Sequence, residues 1–489
     1  MHSRLGMKVG FCAIALGVIY SPACSSDSSS TGSPEGGVAP DTDGSTGGAG
    51  GKGAGGAAGK GTGGTAGTAT TDGGSCDVTL APSDDDLTTI QGALDSKVKS
   101  GNTVCFSPGT YKLKNHITLA AAKSVTFQGT GAKRDDVVLD FTGQTNGDEG
   151  VLVTTDGFTI RNLSIKNTQG NGIKVQANDS LFDNIKVGWD NSGTADGGPT
   201  SGGYAIYPTG CENTVMQNNE VYGAADAGIY AGQCKHVIAH DNDSHDNVLG
   251  IEIENTLDAE VYANEVHGNT TGFLLDLLPD LQQKTTQNYY VHDNHVYDNN
   301  RVNFAQANTL AATAPQGTGV LVLASRDIEL TKNKIEGNGG VGIIIVSYDI
   351  IDVLAVLNGG TASTPDPTTS RWPRRVYVHD NTFSDNGNDP QGSYAVFAVA
   401  TDGGKKTVPY NVLWDGILDP SGYGGNDGGL PVGDAGKATA ADAQICLGET
   451  EQKSFVDFHG DTSLTDPAGW STDPTPHKCT LPALPSLTP

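Results

Sequence analysis

Two sets of titratable residues recur in this sequence at spacings that could bring them together. In the first set, lysine, tyrosine and carboxylate side chains alternate with apolar residues in short stretches that begin with glycine, such as Gly250-Ile-Glu-Ile. Two carboxylates about 5–9 Å apart can hydrolyse a glycosidic bond. A lysine or tyrosine beside acids can remove and return a proton next to a uronate carboxylate. The candidate catalytic residues are Lys174, Tyr207, Tyr230, Glu252, Glu254 and Asp276.

The acids of this first set have a second interpretation. Glu252, Glu254 and Asp276 could act as acid, base or Ca²⁺ ligands. The sequence identifies no cofactor, and Ca²⁺ is the one candidate ion for these carboxylates. The alternative for the whole set is a solvated face without chemistry, because any repeating surface carries mixed polar residues.

The second set combines imidazoles with carboxylates from two consecutive repeats. Histidine and carboxylate ligands in such an arrangement can hold zinc or another transition metal. The alternative is a solvated polar ladder, because the repeat itself places residues of similar type in columns. The candidate metal ligands are Asp243, His245, Glu265 and His267.

Both sets lie in a repeat whose clearest signal is an asparagine-led phrase. The intervals between neighbouring copies are regular where nothing interrupts them: 242 − 219 = 23 and 264 − 242 = 22 residues. A period in this range is typical of a solenoid, in which each unit buries its apolar face against the next. We interpret the leading asparagines as structural turn residues whose side chains bond the backbone and stack on one another. The clear copies begin at Asn219, Asn242, Asn264, Asn294, Asn333 and Asn381.

The repeat unit is built of strands, because apolar residues alternate and glycine, asparagine and aspartate punctuate them. Three short strands per coil predict an all-β right-handed parallel β-helix of ~22-residue coils. Aligning Cys211 with Cys234 puts Lys174, Tyr207, Tyr230 and Glu252 in one exposed column, with Glu254 and Asp276 in the neighbouring one. Stacked strands lie ~4.8 Å apart, which suits a Cys211–Cys234 disulfide.

A solenoid must be capped at both ends. Apolar residues at helical spacing predict a capping helix over 87–99, with an N-cap supplied by residues 84–86. The repeat is lost after 408, so we predict a β-helix domain over 76–408 and a C-terminal cap over 409–489. Spacing alone does not fix the other two disulfides, for which we choose Cys76–Cys105 and Cys446–Cys479.

Three insertions lengthen particular coils, at 277–290, 300–318 and 347–375. Long loops on a regular scaffold usually carry function or cover something. Five outward strand positions are apolar and would need shelter from water, so we expect the insertions to cover them. These positions are Leu274, Leu321, Leu323, Ile344 and Val346.

Residues 1–24 have the marks of an export signal. Arg4 and Lys8 precede an apolar run that is too short to span a bilayer, and the run ends in Ser-Pro-Ala-Cys. This ending resembles a bacterial lipoprotein signal and implies lipidation of Cys24; simple cleavage is the alternative. Residues 25–75, rich in Gly, Ser, Thr and Ala, predict a flexible linker. We therefore expect an exported cell-envelope lipoprotein, held at the outer membrane or cell surface by its lipid anchor only.

The formal net charge of −27 excludes nucleic acid as a partner, because a phosphate backbone requires basic patches. It also repels anionic polysaccharides unless divalent cations bridge the charges. One solenoid domain without an obvious self-association motif leads us to expect a monomer.

The entry segment TIQGALDSKVKSGNTVCFSPGTY and the repeated phrases resemble the pectin-lyase-like right-handed parallel β-helix superfamily. The resemblance covers roughly residues 85–460. It implies a polysaccharide partner, because members of that superfamily include lyases, epimerases and polygalacturonases that act along a groove on one sheet. The glycine-led strands look like the corresponding place, whereas the Asp-Pro-His motif of the epimerases is absent. The segment GFLLDLLPDL is similar to uncharacterised bacterial secreted or lipoprotein β-helix repeat proteins.

Two functions remain open from sequence. The first is an enzyme, a lyase, epimerase or hydrolase, acting on an extracellular polysaccharide. The second is a non-catalytic surface module that binds a glycan, a metal or a partner protein. The surface above the acidic residues of the first set, Glu252, Glu254 and Asp276, discriminates the two functions. An open groove there favours the enzyme, and a surface covered by loops favours binding or structure.

Overall fold

The computed structural model of the chain describes residues 75–190, 201–307, 309–357, 361–395, 397, 407–420, 438–464 and 466–487. The predicted signal peptide, the lipidation site at Cys24 and the linker up to residue 74 lie outside these ranges. Across the described ranges, no helix combines the length and the apolarity that crossing a bilayer requires.

The described strands form three long sheets in which all neighbouring strands are parallel, and the chain visits the sheets in the order 1, 3, 2. This is the right-handed parallel β-helix that the repeat predicted. Sheet 1 contains β1 Val78–Leu80, β2 Thr103–Phe106, β5 Thr126–Gly129, β8 Thr159–Arg161, β11 Ser180–Asp183, β14 Glu212–Gln217, β17 Lys235–His240, β20 Leu257–Tyr262, β23 Gln287–His292, β26 Arg326–Thr331, β29 Arg374–His379 and β32 Ile445–Leu447.

The glycine-led strands form sheet 2. Its strands are β4 Ile117–Leu119, β7 Glu149–Val153, β10 Asn171–Val175, β13 Ile206–Pro208, β16 Ala227–Gly232, β19 Leu249–Glu254, β22 Thr271–Asp276, β25 Thr318–Leu323, β28 Val341–Val346, β31 Val412–Trp414 and β33 Phe455–Asp457. Sheet 3 contains β3 Gly109–Lys112, β6 Val137–Asp140, β9 Ser164–Lys166, β12 Lys186–Gly188, β15 Glu220–Tyr222, β18 Asp243–His245, β21 Glu265–His267, β24 His295–Tyr297, β27 Lys334–Glu336 and β30 Thr382–Ser384.

Inward-facing residues of the three sheets build one continuous apolar core. On sheet 2 the residue after each glycine points inward, so that Ile229, Ile251 and Phe273 stack and are fully buried. The glycine itself allows coils to approach closely, because a Cβ atom at Gly272 would lie 2.5 Å from the Gly319 carbonyl oxygen. The next residue of each strand therefore faces outward, as the alternation predicted.

The leading asparagines form a buried ladder at the corner between sheets 1 and 3. The Nδ2 of Asn242 donates to the Oδ1 of Asn264 at 2.9 Å, and the same bond joins Asn264 to Asn294. A second ladder, which begins at Asn247, lies at the corner between sheets 3 and 2. The prediction that these residues are structural is confirmed.

Replacing Asn264 with alanine is expected to lower the free energy of unfolding by about 3 kcal/mol. The change removes the acceptor of the Asn242 N–H and the donor to the Ala239 carbonyl, and each buried polar group without a partner costs roughly 1–3 kcal/mol. Urea titration followed by circular dichroism measures the loss, with the exposed Asn146→Ala as control. A loss no larger than that of the control would contradict a stabilising ladder.

Three disulfides join the pairs that we chose. Cys211 and Cys234 occupy neighbouring coils with their Cα atoms 4.4 Å apart, which confirms the register of the repeat. The other two are Cys76–Cys105 and Cys446–Cys479.

Both ends are closed, although the C-terminal boundary differs from the prediction. Helix α1, Asp86–Ser96, covers the first coil with Ile90 fully buried, and Asp85 caps it by accepting from the Thr88 N–H. Residues 409–489 first extend sheets 1 and 2 by β31, β32 and β33 and therefore continue the solenoid beyond 408. The sequence hid these strands because all of their residues are buried, which removes the alternation. Further helices in the described ranges include α2 Asp349–Leu357, α3 Ala440–Ala443 and α4 Glu449–Gln452, with 3-10 turns at Arg134–Asp136, Ala311–Thr313, Pro467–Gly469 and Thr475–His477.

The insertions cover the outer face of sheet 2 from β16 onwards. We call these covering residues the cover; it is a second apolar cluster that includes Leu277 and Leu278 of the first insertion, Ala311 of the second and Ile350 of the third. Four of the five apolar outward positions are buried beneath it, and Leu321 is partly buried, which confirms the expected covering role. The cover is completed by residues that the sequence did not assign to it, including Tyr394, Phe397, Ile417, Phe458 and Trp470.

Candidate functional site: an acid–tyrosine cluster

The predicted columns exist in the structure. Strand pairing places Lys174 beside Tyr207, and Tyr230 beside Glu252. In the neighbouring column Glu254 lies beside Asp276. The strands of sheet 2 therefore bring most of the predicted catalytic residues onto one face, although their catalytic roles stay a prediction.

The expectation that this row is exposed is wrong. Only 3% of Glu252, 7% of Glu254 and none of Asp276 is accessible to solvent, and Tyr230 is 4% exposed. The cover shields these residues because the apolar positions beside them, such as Leu274, must also be kept from water. Lys174 and Tyr207 are only half-buried, and Tyr207 packs against the edge of the cover.

Lys174 is not within reach of the acids. Three strand steps separate it from Glu252, which corresponds to roughly 14 Å at ~4.8 Å a step. Its ammonium group lies instead 3.8 Å from the Glu149 carboxylate and 5.4 Å from the centre of the Tyr207 ring. Lys174 therefore lies away from the buried carboxylates of Glu252, Glu254 and Asp276 and does not contact them.

The structure adds two residues that sequence reasoning missed, Tyr204 and Asp226. Tyr204 precedes β13, and its ring lies 4.5 Å from Tyr207 and 4.7 Å from Tyr230, measured between ring centres. Asp226 precedes β16 and lies close enough to Tyr204 for the two side chains to influence each other's pKa. A signal for Asp226 was present, since the equivalent residues of the next two coils are the uncharged Val248 and Thr270.

These residues together form what we call the acid–tyrosine cluster. Its members come from the ends and outward positions of four neighbouring strands, β13, β16, β19 and β22, and from the turns before them. They are Tyr204, Tyr207, Asp226, Tyr230, Glu252, Glu254 and Asp276.

The side chain of Tyr230 extends along β16 over Gly232 and contacts Glu254, which pairs with Gly232 from the neighbouring strand β19. Its hydroxyl donates to Glu254 Oε1 at 2.7 Å. The path is open only because residue 232 is glycine: a Cβ atom there would lie 1.9 Å from the Tyr230 hydroxyl oxygen. Gly232 therefore makes room for the tyrosine hydroxyl. This role could not be recognised from the sequence, because glycine carries no functional group.

The electrostatics of the cluster favour protonated carboxyl groups. Burial raises the pKa of Glu254 to about 7 despite the hydrogen bond from Tyr230. Burial also raises the pKa of Asp226 to about 7, helped by the charge of Glu254 and opposed by the hydrogen bond from Tyr204. The pKa of Asp276 lies well above its usual value because of burial and the charges of Glu254 and Asp226.

The tyrosines remain hydrogen-bond donors at neutral pH. Burial, followed by the charge of Asp226, raises the pKa of Tyr204 well above 10, and burial with the charge of Glu254 does the same for Tyr230. No basic side chain of the described residues contributes to the pKa of Asp226, Glu254 or Asp276. Within the described part of the chain, the charges of Asp226, Glu254 and Asp276 are therefore not compensated by a basic side chain.

Three of the acids converge as metal ligands would. One carboxylate oxygen each of Glu252, Glu254 and Asp276 lies within 4.8 Å of the other two. Both oxygens of the fully buried Asp276 have no hydrogen-bond partner among the described residues. Carboxylate oxygens without competing donors fit a hard cation such as Ca²⁺.

The second predicted site does not come together. The register holds, because Asp243 pairs with Glu265 and His245 with His267. However, His245 bonds Asp246 at 2.9 Å, His267 bonds Asp243 at 3.1 Å, and Glu265 bonds His295 at 2.9 Å.

The rings on this part of sheet 3 stack nearly in parallel. The centre of the His245 ring lies 5.3 Å from that of His267, with the planes 10° apart. Each imidazole is therefore held beside its own carboxylate, and the four predicted ligands form a polar ladder without a common centre in the described part of the chain. The described geometry therefore does not favour a transition metal at these four residues, and the metal site stays a prediction.

Sequence and structure comparisons address the fold. A family model described as "Right handed beta helix region" matches residues 199–355. No curated protein matches the chain.

Several solved structures are similar to this chain at low identity. The mannuronan C-5 epimerase AlgE4 A-module of Azotobacter vinelandii is 16% identical, with 76% of this chain and 91% of that chain covered and a TM-score of 0.46. The DFA-IIIase of Arthrobacter chlorophenolicus is 14% identical over 68% and 86%, with a TM-score of 0.41. The polygalacturonase of Erwinia carotovora is 10% identical over 64% and 94%, with a TM-score of 0.43.

At these identities and TM-scores the solved structures carry no conclusion about activity. The three parallel sheets and the matched repeat region agree with each other on the winding. The chain therefore contains a right-handed parallel β-helix, to which the family model assigns residues 199–355.

Proposed function

We propose that this chain acts on an extracellular polysaccharide and that the acid–tyrosine cluster is its working site. The observation that supports the proposal is the pair of carboxyl groups, Asp226 and Glu254, whose pKa values are raised to about 7 and which lie beside Tyr204 and Tyr230. Groups that titrate near neutral pH are suited to give and take protons there. Burial in a cluster of like charge is the usual way in which proteins produce such groups.

The cluster is costly for stability, which favours a functional origin. Buried carboxyl groups without basic partners destabilise a fold whether they are ionised or protonated. The neighbouring coils fill the same positions with apolar residues, for example Leu274, Leu321 and Ile344 in the column of Tyr230. Apolar residues were thus compatible with this sheet, and the acids need another explanation.

Two acids beside tyrosines can share the chemistry of proton transfer. Tyr230 donates a hydrogen bond to Glu254, and Tyr204 influences the pKa of Asp226. In a hydrolase one carboxyl group protonates the glycosidic oxygen while the other activates water or attacks the sugar. In a lyase or epimerase one group removes the proton beside a uronate carboxylate and another group returns it.

The polymer would reach the cluster from its uncovered end. Tyr204, Tyr207, Asp226 and Lys174 are half-buried there, whereas Glu254 and Asp276 lie beneath the cover. The adjacent faces of Tyr204 and Tyr207 offer a stacked aromatic surface for a sugar ring. A long sheet surface also suits a long polymer better than a small molecule.

A Ca²⁺ ion fits the same cluster. Glu252, Glu254 and Asp276 would supply its carboxylate ligands. When bound, such an ion supplies positive charge that neutralises the acids and can bridge them to an anionic glycan, which the net charge of −27 would otherwise repel.

A second candidate function is a non-catalytic module that binds a cation, a glycan or a partner protein. The observation that favours it is the cover, because a buried stripe is less accessible than an open groove. In that case the ion would hold the outer face of sheet 2 together and no product would form.

A broad polysaccharide screen distinguishes the two candidates. Neutral and uronate glycans are incubated with the purified protein, with Ca²⁺ or with a chelator, and products are read as new reducing ends, as unsaturated sugars and as epimerised residues by NMR. Turnover of any glycan supports the enzyme, and the readout identifies the reaction. Binding without turnover across the screen supports the module.

We also propose that the protein is exported and anchored through a lipid on Cys24, as a monomer. The three disulfides of the described residues fit an oxidising compartment. The Cys24→Ser variant is expected to leave the membrane fraction and lose incorporation of a labelled fatty acid, whereas wild type retains both. An unchanged distribution of the variant would contradict the anchor.

A further inference from the structure

The segment that follows Cys479 lies along the outer face of sheet 1. Its anchor is the disulfide between Cys479 and Cys446 of β32. From Cys446, strand pairing defines one outward column that passes from coil to coil towards the N-terminal end of the solenoid. In order, the column contains Cys446, Tyr377, Glu329, Tyr290 and Glu260.

Two glutamates of this column bind the backbone of the segment. The Leu484 N–H donates to Glu329 Oε2 and the Leu487 N–H donates to Glu260 Oε2, both at 2.6 Å. Glu260 and Glu329 are only 3% and 4% exposed. Buried carboxylates need such donors, so these two contacts are specific features of the site.

A histidine side chain contacts the other carboxylate oxygen of each glutamate. His292 Nε2 lies 3.1 Å from Glu260 Oε1, and His379 Nε2 lies 3.1 Å from Glu329 Oε1. The ring of each histidine stacks on the tyrosine two residues before it, with ring centres 4.0 Å apart for His292 and 3.9 Å apart for His379. The column is therefore a preorganised groove of alternating carboxylates and aromatic rings.

The segment matches the groove in period. Its sequence, Leu-Pro-Ala-Leu-Pro-Ser-Leu, has leucine at every third position, and the leucines are partly buried while the residues between them are exposed. A polyproline II helix has three residues per turn and rises about 3.1 Å per residue, or about 9.3 Å per turn. The two glutamates are two strand steps apart, which is about 9.6 Å.

The prolines contribute to this match. Each proline follows a leucine and fixes its own φ near −65°, which favours the extended conformation before binding. Proline also lacks an N–H, so that the leucine N–H groups are the donors that meet the carboxylates. The composition of the segment is thus explained by the groove.

We propose that this column of sheet 1 is a peptide-binding site for polyproline II segments with leucine at every third residue, and that the chain's own C-terminal segment is its resident ligand. Main-chain donors meet Glu260 and Glu329, and the leucine side chains are partly buried. A separate chain with the same Leu-Pro-x-Leu-Pro-x-Leu pattern is the partner that the site fits in trans. The site is independent of the acid–tyrosine cluster, which lies on sheet 2.

A full-length variant with Leu484→Asp and Leu487→Asp tests the proposal. The variant keeps the Cys446–Cys479 disulfide but releases the segment, so a fluorescent peptide with the sequence of residues 480–489 is expected to bind it at least tenfold more tightly than it binds wild type. Fluorescence anisotropy measures the affinity, and thermal unfolding verifies that the variant is folded.

Two controls make the result specific. A peptide with one alanine inserted after Ala483 keeps the composition but breaks the period of three, and is expected to bind at least tenfold more weakly. Adding Glu260→Gln and Glu329→Gln to the variant is expected to weaken binding of the original peptide by a similar factor, since each glutamine presents an amide donor in place of one acceptor oxygen. Equal binding of both peptides, or no binding by the folded variant, would overturn the proposal.

A second measurement covers the case in which the variant does not fold. In the wild-type protein the Leu484 and Leu487 amides are expected to exchange slowly with deuterium, and a large excess of the peptide of residues 480–489 should accelerate their exchange by displacing the segment. Fast exchange without peptide, or exchange that the peptide leaves unchanged, would refute the site.

Discussion

Replacing Glu254 with glutamine is expected to lower turnover of the glycan identified in the screen by about 10²–10⁴-fold, the range typical of a lost general acid or base. Glutamine keeps the shape and can still accept the Tyr230 hydrogen bond, but it cannot take or give a proton. The measurement is kcat and KM for wild type and variant, with the exposed Glu449→Gln as the control that should leave both unchanged.

Two further variants test the positioning of Glu254. Tyr230→Phe removes the hydroxyl, and Gly232→Ala places a methyl group where that hydroxyl lies. Both are expected to lower kcat more than they raise KM. Both variants should also move the inflection of the kcat/KM profile from about pH 7 to a higher pH. The reason is that the Tyr230 hydrogen bond, which both variants lose, lowers the pKa of Glu254. Unchanged kcat in Glu254→Gln would remove the cluster from the mechanism.

Calcium is expected to stabilise the protein through the three converging carboxylates. An ion at a hundred times its dissociation constant adds about 2.7 kcal/mol to the free energy of unfolding, which raises Tm by at least about 2 °C in a domain of this size. Differential scanning calorimetry with Ca²⁺ and with EDTA measures the shift. Asp276→Asn should abolish it, because Asp276 supplies oxygens that have no other partner among the described residues.

Asp243→Asn is the matched control for this measurement. It removes one carboxylate from the polar ladder of sheet 3, where ligand atoms do not converge, and should leave the calcium shift intact. If Asp243→Asn removes the shift and Asp276→Asn does not, the ion binds to sheet 3 and the assignment to the acid–tyrosine cluster is wrong.

The same acids set the pH dependence without calcium. The pKa of Glu254 is raised from 4.5, and that of Asp226 from 3.8, to about 7 in the folded state. The folded protein therefore binds more protons than the unfolded chain between about pH 4 and 7, so stability is highest below this window and falls as pH rises through it. Calcium should reduce this fall, because it favours the ionised carboxylates.

Much of the arrangement followed from the sequence because the repeat has a fixed period. Once Cys211 and Cys234 were aligned, every residue of sheet 2 acquired a neighbour, and the pairs Tyr230–Glu252 and Glu254–Asp276 appear in the structure as predicted. Local pattern was sufficient here, since strand register in a solenoid repeats from coil to coil.

The burial of these residues could not be obtained in the same way. The cover is built from insertions and C-terminal residues that have no period, such as Ile350, Phe397 and Phe458. Their contacts with sheet 2 depend on how irregular loops fold back, which pattern alone does not determine. Asp226 and Tyr204 were missed for a related reason, because they lie in turns before the strands and outside the alternation.

The asparagine ladder has a consequence for how such a protein can change. From β8 onwards the chain spends two residues at each turn from sheet 1 to sheet 3, from Gln217 to Glu220 in one coil and from His379 to Thr382 in another. Between β5 and β6, in contrast, it spends seven residues, 130–136. Two of the three insertions leave at the opposite corner, between sheets 2 and 1, and the third leaves between sheets 3 and 2. The edge between sheets 1 and 3 thus keeps a constant turn length over these coils, while the other two edges carry the inserted loops. A protein of this kind can acquire a different surface over sheet 2 by exchanging loops, while the β-helix itself stays unchanged.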